Sequence, residues 1–150
     1  MRPRGPIFLT NVNLQSTPRE GLELLLKLHL REGAWTLAAR YNQRMSEARL
    51  VRRLVDQSPG LARLVAGNFN ATIESDLFRT NWSGFQDCFS EAGQGFGFTK
   101  YVHHIGVRID HIFAGADWVC LDARLWGPKN IGTDHRPLIV DMNWLGTVHE

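Results

Sequence analysis

Apolar and polar residues alternate over residues 7–14 (IFLTNVNL), the period of a half-buried strand. Thr17-Pro18-Arg19-Glu20 then carries the signals of a helix start: a capping residue, a proline for the first turn and an early acid. Leu22, Leu24, Leu25, Leu26, Leu28 and Leu30 surround most of the helix that follows, and Glu32-Gly33 predicts a break. Over residues 35–57, Leu37, Tyr41, Met45, Ala48, Val51 and Val55 fall on one stripe of an amphipathic helix. Arg40, Arg44, Arg49, Arg52 and Arg53 take its other faces, as a solvated surface or as phosphate contacts. Ser58-Pro59-Gly60 stops it.

A short apolar strand over 61–66 runs into Gly67-Asn68-Phe69-Asn70-Ala71, a polar turn at a strand exit, where α/β folds place reacting groups. Short helices are predicted over 75–82 and over 85–92, the second closed by Gly93. The glycines of Gly95-Phe96-Gly97-Phe98-Thr99 disfavour a helix and predict a strand or bulge ending at Thr99. Residues 100–106 read as a loop holding His103 and His104, either solvated or in contact with substrate. Three strands follow, over 108–113, 119–125 and 137–142. Strands and helices mixed in this way give an α/β (α+β) class, and 150 residues without repeats or an internal linker give one domain over 1–150.

Composition narrows the function classes. A hydrophobic share of 43% with 21% charged residues is that of a globular domain. A net charge of +2 falls short of the concentrated basic face of a dedicated nucleic-acid binder. Cys88 and Cys120 are too few for a disulfide scaffold or zinc site and read as two buried thiols, with one disulfide as the alternative. No apolar run reaches the ~18 residues of a membrane span, and no secretory leader is evident, so a cytoplasmic location is expected. The tryptophans read as core or rim fillers, with Trp82 and Trp126, beside candidate loops, the two placed to line a cleft.

Candidate chemistry gathers late in the chain. Asp110 sits mid-strand between Ile109 and Ile112, where burial is costly unless the carboxylate is paired. Its partner is either a structural one, Arg108 or Arg136, or a histidine whose tautomer it fixes. Thr133-Asp134-His135-Arg136-Pro137 lies in a loop before a strand. One acid orienting an imidazole beside a second acid able to hold a metal suits hydrolytic phosphoryl chemistry.

Taken in order, Asn11-Val12-Asn13-Leu14, Gly67-Asn68-Phe69-Asn70-Ala71, Gly97-Phe98-Thr99, Arg108-Ile109-Asp110-His111-Ile112 and Thr133-Asp134-His135-Arg136-Pro137 resemble the motif series of the endonuclease/exonuclease/phosphatase (DNase I-like) superfamily. The resemblance covers the whole chain but only the C-terminal half or so of a family domain. It implies a four-layered α/β sandwich, two mixed sheets face to face with flanking helices and the site at one rim. It further implies that His135 acts at the scissile phosphate with Asp110 as its orienting partner, that Asp134 holds magnesium (or manganese), and that Asn70 binds the phosphate. Arg136 and Thr99 join Asn70 as expected substrate contacts. The reaction would be in-line attack of water on a phosphoester, whether of DNA, a nucleotide or a phospholipid headgroup.

The chain departs from the family pattern at chemically telling positions. Asn68 stands where the family has an aspartate that activates water, and an amide cannot take that proton. Asn13 stands where the family has a histidine. No glutamate matches the family's N-terminal metal ligands. The resemblance therefore implies a divalent-metal-dependent phosphoester hydrolase, weakened or silent, or else a non-catalytic phosphate-binding module of the same fold. Half a sandwich would leave an apolar face and a strand edge open, so self-association or pairing with an N-terminal segment is expected.

Overall fold

The computed structural model describes residues 7–16, 31–58, 62–102, 105–127 and 132–146, excluding the side chains of residues 31–34, 36 and 37. The helix predicted after Thr17, together with His29, His103, His104 and His149, lies outside the described residues. The strands are β1 (Ile7–Asn13), β2 (Ala62–Asn68), β3 (Gln86–Asp87), β4 (Lys100–Val102), β5 (Ile105–Val107), β6 (Asp110–Ala114), β7 (Trp118–Leu125) and β8 (Leu138–Trp144). The helices are α1 (Arg31–Gln57), α2 (Asp76–Asn81) and α3 (Cys88–Ala92).

β1, β2, β6 and β3 form a mixed sheet in that order, β1 parallel to β2 and the other pairs antiparallel. Alternation along each strand sends successive side chains to opposite faces. One face carries Val12, Val65 and Phe113 against Met45, Ala48 and Val55 of α1, with Phe69, Phe78 and Trp82 filling the space between. These rings meet edge-on or stacked: Phe69 to Trp82 at 5.5 Å, and Trp82 to Phe113 at 5.7 Å. The other face carries Ala62, Leu64, Ile112 and Ala114 against Trp118, Val140, Met142 and Trp144 of the β7–β8 sheet. Helix, mixed sheet and second sheet are thus stacked in layers, and β4–β5 is a separate antiparallel pair.

Gly67 is what lets β1 lie against β2. It has φ +143°, and a Cβ there would meet the Val12 carbonyl oxygen at 2.0 Å. Only glycine combines that dihedral with that approach.

Several expectations are corrected. α1 runs unbroken through Glu32-Gly33, and Tyr41 at its end of the stripe is exposed. Arg44 and Arg52 are not a solvated face. Arg44 donates to the Asn70 carbonyl, while Arg52 donates to the carbonyls of Asn81 and Ser83 and covers the Phe85 ring. The helix predicted over 85–92 begins only at Cys88, because Gln86 and Asp87 pair with Ala114 and Phe113 of β6. Residues 95–99 form no strand, whereas the loop expected over 100–106 contributes β4 and β5. Trp82 is buried in the core, and Trp126, although exposed, is absent from the cleft walls. The cysteines are not thiols: Cys88 of α3 and Cys120 of β7, with Cα atoms 5.3 Å apart, form a disulfide. Among the described residues, no helix is long and apolar enough to cross a membrane.

Candidate active site at the strand ends

The pairing of the mixed sheet aligns three polar residues in one transverse row. Asn13 of β1 lies opposite Asn68 of β2, which lies opposite Asp110 of β6. Since paired residues share a face, all three project from the side of the sheet that also carries the β7–β8 layer. The next row, Asn11, Ala66 and Ile112, floors a cleft of about 380 Å³. Asp110, His135, Arg136 and Leu138 stand in its wall.

The expected acid–imidazole pair is present. His135 Nδ1 lies 2.8 Å from Asp110 Oδ2, both side chains largely but not fully buried. On its other side, His135 Nε2 lies 2.9 Å from Lys100 Nζ. An ammonium has three donors and no acceptor, so Nε2 must present its lone pair to Lys100. The Nδ1 proton then points at Asp110, and the carboxylate fixes that tautomer. Lys100 Nζ also lies 3.1 Å from Asp134 Oδ2. The Lys100 hydrogen bond and charge, helped by His135, hold the Asp134 carboxyl below its ordinary value of 3.8.

Backbone pairing sets this arrangement. Lys100 bridges antiparallel to His135, and the Arg136 N–H donates to the Thr99 carbonyl at 2.6 Å. The Thr99 hydroxyl accepts from the N–H groups of both Ile109 and Asp110 at 3.1 Å. Thr99, expected from sequence as a substrate contact, is fully buried and ties the start of β6 to the His135 loop. The His135 N–H in turn donates to Thr133 Oγ1 at 3.1 Å.

The exit of β2 is braced from within. Asn68 Oδ1 accepts from the Asn70 N–H at 2.9 Å, a turn that an aspartate would close equally well. Asn70 has a left-handed φ of 49°, which asparagine tolerates, and its Nδ2 donates to the Leu14 carbonyl at 2.7 Å. Asn70 thus stitches the end of β1 to the exit loop. Arg136 donates to the Gly127 carbonyl at 3.3 Å, and its buried Nε has no hydrogen-bond partner among the described residues.

His111, beside Asp110, faces the opposite way. It is buried among Phe69, Phe78 and Phe113, its Nε2 is 3.0 Å from the Ala71 carbonyl, and its Nδ1 is 3.5 Å from Asp87 Oδ1. Burial alone would push the Asp87 carboxyl up. His111, Ser90 and Arg108 together outweigh burial and hold it below 3.8.

No protein-family model and no curated protein matches this sequence. Solved structures do. A conserved protein of unknown function from Enterococcus faecalis V583 superposes with a TM-score of 0.68 at 16% identity, over 94% of this chain and 51% of that one. An endonuclease/exonuclease/phosphatase from Bacteroides vulgatus gives 0.57 at 22% identity, over 69% and 44%. The chain has the endonuclease/exonuclease/phosphatase fold. The 3′ phosphatase NExo from Neisseria, solved with a product DNA hairpin, gives 0.57 at 17% identity, over 72% and 55%. The chain spans about half the length of these solved chains.

Within that fold, the residues present fit a divalent ion poorly. Among the described residues no three His, Cys, Asp or Glu side chains gather to hold one. Of the two carboxylates beside His135, Asp110 is engaged by His135 and Asp134 by Lys100. Asn68 and Asn13 add amides to the row, where a hard cation favours anionic oxygen. Lys100 is the member of the site that sequence reading missed. It sits in a segment read as loop, and only the bridge to His135 brings it to the site.

Proposed function

We propose that this chain is a phosphoester hydrolase domain whose turnover is weakened by Asn68 and Asn13, acting on a phosphoryl group bound between His135 and Arg136. The observation that supports the reading best is the Asp110–His135 pair at 2.8 Å, at the end of a row continued by Asn68 and Asn13. Asp110 orients the imidazole, and His135 meets the phosphoryl oxygens once Lys100 shifts from Nε2. Arg136 supplies charge to the same oxygens, and Asn70 offers the amide N–H that Leu14 does not use. Without a carboxylate at position 68, the attacking water has no base there, which removes a contribution of about 10²–10⁴-fold.

A second reading, a phosphate-binding module without turnover, is favoured by Lys100. Its hydrogen bond occupies the nitrogen through which His135 would exchange a proton. Hydrolysis of a generic phosphodiester and of nicked or abasic duplex DNA, with and without magnesium, separates the two readings. The comparison is between this chain and its Asn68→Asp/Asn13→His variant. Turnover in the variant alone identifies a hydrolase silenced by two amides. Phosphate binding without turnover in either identifies the module, and failure to bind phosphate removes both readings. Pairing with another segment or copy would fall at β1, the end of the mixed sheet, where Ile7 and Leu9 are exposed.

A further inference from the structure

We propose that Lys100 is the resident cation of this site, and that its ammonium takes a phosphoryl oxyanion without a divalent metal ion. The inference rests on the phosphoryl reading above and deepens it by naming what neutralises the ligand's charge.

Three observations carry it. Lys100 Nζ is held at hydrogen-bond distance from both Asp134 Oδ2 and His135 Nε2, at 3.1 and 2.9 Å. The position follows from main-chain pairing, since Lys100 lies opposite His135 in an antiparallel bridge and Arg136 N–H donates to the neighbouring Thr99 carbonyl. An ammonium has three N–H donors, and the partners among the described residues use two; the third is open to a ligand, joined by the one on His135 Nε2 once Lys100 shifts from it. Finally, the carboxylates that would coordinate a metal are already engaged, while Arg136 brings a second cation with an unpartnered buried Nε to the same wall. A positive charge built into the fold and flanked by an arginine is an oxyanion site. Asp134 then serves as the anchor that holds the ammonium in place.

Isothermal titration of inorganic phosphate into the full chain tests this, in EDTA and in magnesium, on the unmodified protein and on Lys100→Met and Lys100→Arg. The expected result is phosphate affinity equal in EDTA and magnesium within about twofold, about tenfold or more weaker in Lys100→Met, and retained in Lys100→Arg. Binding that appears only with magnesium overturns the proposal while leaving the phosphoryl reading intact. Binding by Lys100→Met as tight as by the unmodified chain overturns it too. If no phosphate binds under either condition, the phosphoryl reading itself fails and the proposal with it. The EDTA–magnesium comparison needs no variant, so it decides even if Lys100→Met does not fold.

Discussion

Two aspartate–histidine pairs lie back to back across β6, and their difference separates structure from chemistry in this molecule. Asp110 and His111 are adjacent in sequence, so the pleat sends them to opposite faces. Asp110 meets His135 at 2.8 Å at the rim, with side chains 22% and 25% exposed. His111 meets Asp87 at 3.5 Å in the interior, with side chains 0% and 5% exposed. The same two residue types thus form a hydrogen-bonded pair in the cleft wall in one case and a sealed contact of the core in the other. What distinguishes them is cover: α1 and the aromatic cluster seal the inner pair, whereas the β7–β8 layer stops short of the outer one. The lesson is that an Asp–His dipeptide names two sites, and only the packing says which is which.

The contrast is sharpest in stability. His111→Ala empties a fully buried ring site and leaves Asp87 to Ser90 and Arg108, and should destabilise the fold by about 3 kcal/mol, whereas His135→Ala should cost under about 1 kcal/mol. Urea unfolding of the two variants checks this, and equal costs would dissolve the distinction. In the Asn68→Asp/Asn13→His background the order reverses for function. There Asp110→Asn should lower turnover by about 10²-fold, with melting close to that of its parent.

A third test uses pH. The Asp87 carboxyl is held below 3.8 in the folded chain, so its stabilising contribution is complete above that value and is lost as pH falls through the lower, folded value. Stability measured from pH 6 down to pH 2 should therefore drop steeply, and Asp87→Asn should be less stable at neutral pH with a flatter acid limb. The smallest effect is expected from Asn68→Asp alone. The Asn68 oxygen that closes the turn onto the Asn70 N–H is one an aspartate also supplies, so unfolding should shift by no more than about 0.5 kcal/mol.

The main strands and the Asp110–His135 pair were legible in the chain because each rests on a local signal: alternation over 7–14, the glycine-led turn after β2, and two acid-bearing strand ends. The illegible parts depend on distant partners. Phe85 to Asp87 reads as helix until β6 pairs with it. Cys88 and Cys120 read as thiols because nothing in a separation of 32 residues says that α3 packs on β7. Thr99 reads as a ligand contact and is a buried brace, and Lys100 reads as loop until the bridge to His135 forms. Arg44 and Arg52 look solvated on a helical wheel, yet their long side chains reach the carbonyls of neighbouring loops.

The Thr99 brace bears on how accurately such a site can be built. Asp110 and His135 stand 25 residues apart, and small dihedral errors along that path would accumulate into a misplaced imidazole. The chain avoids the long path. One buried residue fixes the amide of Asp110 through its hydroxyl and the amide of Arg136 through its carbonyl, so both ends are measured from a common datum. Errors made along β7 therefore cancel from the separation that matters.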